Sequence, residues 1–473
     1  MVNEKETKII KTRGKVYTPP NIVAHILDLS NYFGKSILKK HVIDNSCGDG
    51  AFLVEVVKRY IDEALANNFS NKDIKSDLET YIHGIEINSE EREKCLKNVS
   101  AISEKYNLKN IKWDIICKNS LNIDKYNGKM DYVVGNPPYV RVHNLGESLK
   151  NIKTFKFSTK GMTDLFIVFF EIGLKMLNKN GILGYITPSS LFNSLACNNI
   201  RKHFLDNKLL TKVVDFKHNQ VFDVTTYSTI SILSKTNKKE EVEYYEYDAN
   251  NDALLFVDNL KYKDFYINKN FYFTNKDNLN YLEKLLNNKT KNNLVEVKNG
   301  FATLSDKFFI GKFDFKDYII PIIKASTGEH KECLFPYKNG SLVNYEDLTK
   351  NKKLKKYFED NKTNLKQRSL EKEANWYGFG RSQGIKDVCK NKLAINSIIK
   401  DLSSIKLNRC PKGTGVYSGL YILTDIEEEK IKKIINDEKF INYIKMLGKY
   451  KSGGYCTYSA KDLKRYLEYE LKN

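Results

Sequence analysis

Paired cysteines are the first thing this chain lacks. Its eight cysteines, Cys47, Cys95, Cys117, Cys197, Cys333, Cys389, Cys410 and Cys456, are scattered, and no two have Cys-x-x-Cys spacing. The seven histidines form no ligand cluster with them. Neither a zinc site nor a disulfide framework is supported, so no metal and a reducing compartment are expected. No stretch approaches the ~20 apolar residues of a membrane span. The start, Met-Val-Asn-Glu-Lys-Glu, has no apolar core of a signal peptide, and a cytoplasmic, membrane-free protein is expected. Acid is scarce relative to base: 58 Asp and Glu against 78 Lys and Arg give a formal charge of +20, which suits a polyanionic partner. Richness in Lys, Asn and Ile, a bias of AT-rich coding, accounts for part of that excess. No internal repeat is evident, and 473 residues are long for one core, so two domains are expected.

What is present is concentrated at Asp131-Tyr-Val-Val-Gly-Asn-Pro-Pro-Tyr139. Tyr132, Val133 and Val134 read as a buried strand that Gly135 ends. Asn136 then stands at a strand's carboxyl end, where open α/β sheets place their ligands. Its side-chain carbonyl and the main-chain carbonyl of Pro137 are two acceptors held by two rigid prolines, a pair able to grip both hydrogens of one planar amino group. Tyr139 adds a flat face on which an aromatic ring can stack. Such a grip localises the nitrogen lone pair of a poorly nucleophilic amine. Asn-Pro-Pro by itself also initiates ordinary turns.

Upstream, Val42-Ile-Asp44 runs into Asn45-Ser-Cys-Gly-Asp-Gly50 and an amphipathic helix over 51–66. Gly48 and Gly50 permit close backbone approach to a ligand, although the three-glycine dinucleotide fingerprint is absent. A second strand, 81–86, ends at Glu86, where a carboxylate can accept two ribose hydroxyls. The same Glu86 also suits a helix start, since Asn88-Ser-Glu-Glu91 follows it.

In this order the motifs resemble the gamma class of DNA adenine-N6 methyltransferases, which use S-adenosylmethionine. Gly14-Lys-Val-Tyr-Thr-Pro-Pro20 is similar to motif X, Asp44–Phe52 to motif I, Glu86-Ile87 to motif II and Asn136–Tyr139 to motif IV. Asp164–Phe169 is similar to motif V, Gly181–Pro188 to the strand after it, and Gln220-Val-Phe222 to motif VIII. The resemblance covers roughly residues 10–245. It implies that Tyr17, Thr18 and Pro19, with Asp44, Ser46, Cys47, Gly48 and Gly50, surround the methionine end of the cofactor. It implies further that Glu86 holds the ribose and that Ile87, Pro138 and Phe169 pack about the cofactor adenine. Asn136 and Pro137 would bind the target amine, and Tyr139 and Phe222 would sandwich a flipped base. The motif III position, usually Asp, is Asn119, followed by Ser120; an Asn carbonyl accepts from the cofactor amine without charge. Cys47 is expected to pack rather than react.

The expected fold is α/β: a Rossmann-like, seven-stranded methyltransferase sheet with helices on both faces, plus a C-terminal α+β target-recognition domain. Strands are expected near 41–44, 81–86, 112–117, 131–135, 182–187, 211–216 and 228–235, the last two as an antiparallel edge. Residues 67–80 read as a surface insertion. The catalytic domain is expected over 1–245, a connector over 246–291 with a short helix at 278–286, and target recognition over 292–473. In that last region Trp376, Tyr377, Arg381, Gln383 and Lys451 are candidate DNA contacts, because Arg and Gln read base edges and Lys meets phosphate. Double-stranded DNA is the expected partner, and a separate restriction endonuclease would complete such a system. Two readings stay open: an Asn-Pro-Pro-Tyr methyltransferase for ribosomal RNA or a protein glutamine, and an inactive DNA-binding subunit.

Overall fold

The computed structural model describes residues 17–140, 152, 154–158, 164–222, 226–237, 239–288, 293–370 and 375–472, so the expected motif X positions Gly14, Lys15 and Val16 lie outside the described residues. The chain divides into two compact units, residues 1–283 and 284–473.

In the first unit, chain order alternates helix and strand: α1 (Pro20–Leu29), β1 (Val42–Asp44), α2 (Ala51–Ala66), α3 (Asn71–Tyr81), β2 (Ile82–Glu86), α4 (Ser89–Glu104), β3 (Asp114–Cys117), β4 (Met130–Gly135), α5 (Leu165–Met176), β5 (Leu177–Pro188), α6 (Asn198–Asp206), β6 (Leu210–Asp215), β7 (Ser228–Ser234), β8 (Glu241–Asp248) and β9 (Ala253–Lys261). They build one sheet in the order β3-β2-β1-β4-β5-β7-β6-β8-β9. β1 runs parallel to both β2 and β4, with Val42 opposite Ile82 on one side and Tyr132 on the other. The chain therefore leaves β1 in one direction and returns on its other flank, which makes the β1/β4 boundary the switch point of the sheet.

The helices are there to cover this sheet. α2 buries Phe52, Leu53, Val56, Val57, Tyr60, Ile61 and Ala64, a stripe at helical spacing. α5 is apolar almost all round, and ten of its twelve residues are buried, Phe166, Phe169 and Phe170 among them. The expected insertion at 67–80 is largely α3, whose N-cap Ser70 accepts a hydrogen bond from the Asp73 amide.

The α/β class and the seven-strand framework are present, and the sheet is larger than seven strands. β6 and β7 pair antiparallel as expected, but β7 is inserted between β5 and β6 and is no edge. β8 pairs parallel to β6, and β9 closes the sheet antiparallel to β8. The expected boundary at residue 245 thus falls inside β8, and residues 246–261 of the expected connector belong to the sheet. β8 is rich in Glu and Tyr and partly solvated, which hides it from a reading based on apolar runs, whereas β9 carries the apolar run Ala253–Val257 with Leu255 and Phe256 exposed.

The second unit is α+β. A four-stranded sheet takes the order 296–299, 420–423, 392–395, 407–410, and a three-stranded sheet joins 329–334, 319–324 and 415–417. Helices Lys352–Lys366, Glu428–Ile435, Glu438–Met446 and Ala460–Glu470 accompany them. One of its cores is aromatic: Phe301, Phe308, Phe309, Phe335, Phe358 and Phe379 are all buried in one cluster.

Candidate active site at the carboxyl ends of β1, β2 and β4

The site residues of the first unit gather where these three strands end. Beyond β1 the chain turns sharply: the Gly50 amide donates to the Cys47 carbonyl at 2.7 Å, and the Cys47 amide to that of Ile85 at 3.0 Å. Gly50, at φ +91°, is the left-handed cap of α2, and a Cβ there would lie 2.7 Å from the Cys95 sulfur. The Gly48 amide donates to Glu86 Oε2 at 3.0 Å and the Asn88 amide to Oε1 at 2.9 Å. Both oxygens of Glu86 are thus fixed by main-chain donors, and each keeps a further acceptor direction for a hydroxyl. A Cβ added at Gly48 would meet nothing within 4 Å, so the turn presents bare backbone to open space. This donor set fits a nucleoside bearing ribose hydroxyls.

Asp44 ends β1 and is 2% exposed, its Oδ1 accepting the Ser46 amide at 2.9 Å. Burial pushes its carboxyl up to about 8, against the lowering effect of that amide. The thiol of Cys95 beside it, together with burial, pushes the Cys47 thiol well up, so Cys47 packs as a thiol rather than a nucleophile.

β4 ends against this carboxylate, and a Cβ on Gly135 would lie 2.7 Å from Asp44 Oδ1. Asn136 comes next. Its Nδ2 donates to Thr18 Oγ1 at 3.2 Å, and its main-chain carbonyl accepts from Ser46 Oγ at 3.4 Å. The Thr18 bond fixes the rotation of the amide, with its nitrogen toward Thr18 and its oxygen on the other side. Pro137 is buried and Pro138 half-buried. Tyr139 donates to the Ile186 carbonyl at 3.2 Å, and its ring meets Phe222 edge-on, centroids 6.2 Å apart at 69°. The Leu165 amide donates to the Val140 carbonyl at 2.8 Å, which ties the start of α5 to this segment.

Other expected positions are placed as follows. Thr18 is buried, and Pro19 caps α1. Tyr17 is 48% exposed and donates to Glu91 at 3.0 Å. Ile87 is 67% exposed just past β2, whereas Phe169 is buried within α5. Asn119 accepts the Leu121 amide at 3.0 Å, so its carbonyl caps the short turn that follows β3. Ser120 donates to the Asn45 carbonyl at 2.5 Å and braces the glycine turn from behind.

Two supporting residues were missed in the sequence. Asn45 is fully buried and accepts from the Tyr185 hydroxyl at 2.9 Å, which joins the turn after β1 to β5. The signal was a lone tyrosine in the aliphatic strand Ile182-Leu-Gly-Tyr-Ile186. In the second unit, Arg368 donates to the carbonyls of Leu365, Thr303, Trp376 and Gly378 at 2.5–3.0 Å. It anchors the segment that carries the candidate DNA contacts Trp376 and Tyr377. Accordingly Tyr377 is 9% exposed in the aromatic core, with Trp376 packed beside it against Tyr345 and under Lys362. Both rings pack inward, since a core of phenylalanines outcompetes solvent for them. Arg381 pairs with Ala302 only through its main chain, and its side chain is exposed, as are those of Gln383 and Lys451. Glu373 and Ala374 lie outside the described residues.

A cleft of roughly 830 Å³ opens instead at the opposite end of the sheet, near Leu177, Lys235 and Lys175. Two of its lysines have local partners: Lys235 donates to the Leu177 carbonyl at the end of α5, and Lys175 pairs with buried Glu171.

The sheet order with its switch-point turn, acidic β2 end and Asn-Pro-Pro-Tyr at β4 defines the fold of an S-adenosylmethionine-dependent methyltransferase. Residues 24–222 match the Eco57I restriction-modification methylase family. The chain is 28% identical over 247 residues to the Type II methyltransferase M.BstVI of Geobacillus stearothermophilus, covering 49% of this chain and 44% of that protein. It is 25% identical to the Type II restriction enzyme and methyltransferase RM.Eco57I of Escherichia coli, covering 79% of this chain and 48% of that protein. The chain thus spans about half the length of the curated relatives it matches. In fold it is similar to the solved structure of the Type IIL restriction-modification enzyme MmeI in complex with DNA, at TM-score 0.60 and 14% identity, covering 93% of this chain and 63% of that one. Among the described residues no helix is long and apolar enough to cross a membrane.

Proposed function

We propose that this chain is a site-specific DNA methyltransferase that moves a methyl group from S-adenosylmethionine to the N6 amine of adenine in double-stranded DNA, acting in the cytoplasm. The observation that carries the reading is the convergence of Asn136, Thr18, Asp44 and Glu86 on one end of the sheet, beside the Tyr139–Phe222 ring pair. The cofactor, when bound, supplies an electrophilic methyl group. Glu86 would hold its ribose, and the turn from Asp44 to Gly50, with Tyr17, Thr18 and Pro19, its amino-acid end. Ile87, Pro138 and Phe169 would flank its adenine, with Asn119 and Ser120 at the base edge.

The work of the chain's own residues is positioning. The target amine sits inside the duplex, so its base must be flipped out at a cost of a few kcal/mol in unstacking. Tyr139 and Phe222 offset part of that by stacking, at roughly 1–3 kcal/mol per base. Their rings are edge-on at 69°, so they must swing toward parallel to admit a base between them. Asn136 and the Pro137 carbonyl then take one amine hydrogen each and aim the lone pair, a gain in orientation and electrostatics. In the second unit, exposed Arg381 and Gln383 would read the site, and exposed Lys451 would meet phosphate. Trp376 and Tyr377 would serve that unit's core instead. This reading admits either a separate restriction endonuclease as partner or a solitary methyltransferase.

Asn136→Ala tests it. Transfer of labelled methyl to DNA should vanish while calorimetry shows S-adenosylmethionine affinity nearly unchanged; a mutant retaining a tenth of wild-type turnover refutes the assigned role.

A further inference from the structure

The small sheet of the second unit formed by Ile398–Ile399, Tyr455–Thr457 and Tyr450–Lys451 has two unlike faces. One is core, with Ile399 and Cys456 at 1% and 2% exposure. Alternation along each strand turns the neighbouring side chains outward, and there Ile398 is 46% and Tyr455 38% exposed. Lys451, the cross-strand partner of Tyr455, is exposed beside it. Lys400 flanks the other side. Its stem crosses the hairpin tip at Gly454, where a Cβ would come within 3.2 Å of Lys400 Cε and 3.7 Å of its Nζ. Gly454, at φ +81°, thus leaves room for that ammonium. Strand spacing sets the main chains of the two lysines about 10 Å apart with the Tyr455 ring between them.

Charge separates this face from an ordinary solvated one. Lys449 is committed to Asp462 at 2.5 Å, whereas among the described residues neither Lys400 nor Lys451 forms an ion pair with a carboxylate. Asp401, next to Lys400 in the chain, accepts from the Ser403 hydroxyl at 2.7 Å and the Ser404 amide at 3.0 Å; these bonds first, and the Lys400 charge with them, lower the pKa of its carboxyl, but the two side chains form no ion pair. What remains is an exposed ring bracketed by two cations at a glycine tip that permits close approach, with Ile398 two residues before Lys400 on the edge strand that leads into it.

We propose that this face docks duplex DNA, with Lys400 and Lys451 on phosphates, Tyr455 packed against sugar and base surface between them, and Ile398 extending the apolar contact along the strand that leads to Lys400. Two cations on either side of an apolar ridge complement the alternation of phosphate and groove. The proposal rests on the methyltransferase reading and adds to it a contact surface that carries affinity rather than sequence choice.

The test uses the full chain and a fluorescently labelled random-sequence duplex, with anisotropy measured over a salt series. Lys400→Ala and Lys451→Ala should each lower the slope of log affinity against log salt by about one. Tyr455→Ala should weaken binding about tenfold, and Tyr455→Phe should restore most of it, since a ring is what is needed. Calorimetry with S-adenosylmethionine and the emission of Trp376 should match wild type, which shows both units folded. If wild type methylates and binds DNA while these variants keep its affinity and salt slope, the surface is overturned and the methyltransferase reading stands. If wild type neither binds the duplex nor transfers methyl to DNA, both fall. If the substitutions instead convert a dimer to a monomer by light scattering, a second copy of the chain covers this face and the proposal fails.

Discussion

Gly135→Ala probes the junction between the cofactor turn and Asn136. At φ +154°, Gly135 occupies backbone space that L residues rarely enter, and the new methyl would sit 2.7 Å from Asp44 Oδ1 and 3.2 Å from its Cγ. Ordinary contact needs about 3.4 Å or more, so roughly 0.7 Å must open. Asp44 has little room to give, being 2% exposed and held by the Ser46 amide. The end of β4 must therefore move and carry Asn136 with it. Overpacking of this kind costs about 1–3 kcal/mol of stability. A displacement approaching 1 Å at a positioning group costs on the order of 10²-fold in rate. Single-turnover methyl transfer at saturating cofactor should fall by about that factor, with a lowered melting temperature. Asp44→Ala removes the atom in the way, so the double variant should recover stability, with a coupling of about 0.5–3 kcal/mol for contacting residues. Turnover within threefold of wild type, or strictly additive stability losses, would refute the steric account.

Glu86→Ala should weaken S-adenosylmethionine binding by about 1.5–3 kcal/mol in calorimetry, the worth of hydrogen bonds to a charged acceptor; unchanged affinity would move the ribose elsewhere. Asp44, raised to about 8 when folded, binds a proton that the unfolded chain releases near its ordinary value. Its contribution is therefore full at low pH and is lost as pH rises toward 8, and Asp44→Asn should flatten the apoprotein's melting temperature between pH 5 and 8; an identical pH profile in the variant would contradict this. Arg368→Ala strips donors from four carbonyls and should red-shift Trp376 emission and lower the melting point of the second unit; an unshifted spectrum with unchanged melting would show that the loop holds itself. Arg381→Ala should cost about 1–3 kcal/mol of DNA affinity at one base position if the side chain reads an edge; an equal loss on all sequences, with a smaller salt slope, would mean phosphate contact instead.

Periodicity made most of the first unit legible. α2 falls on the expected 51–66, and β1, β2 and β4 end within a residue of where their apolar runs stop. These strand ends bring Asp44, Glu86 and Asn136 to one end of the sheet, as their places after the apolar runs implied. The braces could not be read in this way. Asn45, Ser120 and Tyr185 act through bonds between residues 75 and 140 positions apart, and no local pattern encodes such partners. The polarity of β8 hides it, and with it the pairing that makes a strand of the short apolar run in β9; Trp376 and Tyr377 suit DNA contact by sequence because aromatics among glycines look alike in a binding loop and in a core. Only the company of Phe358 and Tyr345 distinguishes the two.

The bond from Asn136 to Thr18 spans 118 positions, and that from Tyr139 to Ile186 spans 47. Contacts this distant in the chain are slow to form, because loop closure must precede any reward from the contact. A chain emerging from the ribosome has the whole cofactor turn long before it has Tyr185 to brace Asn45 or Phe222 to face Tyr139. On the proposed reading, cofactor affinity and transfer competence should therefore appear at different nascent-chain lengths.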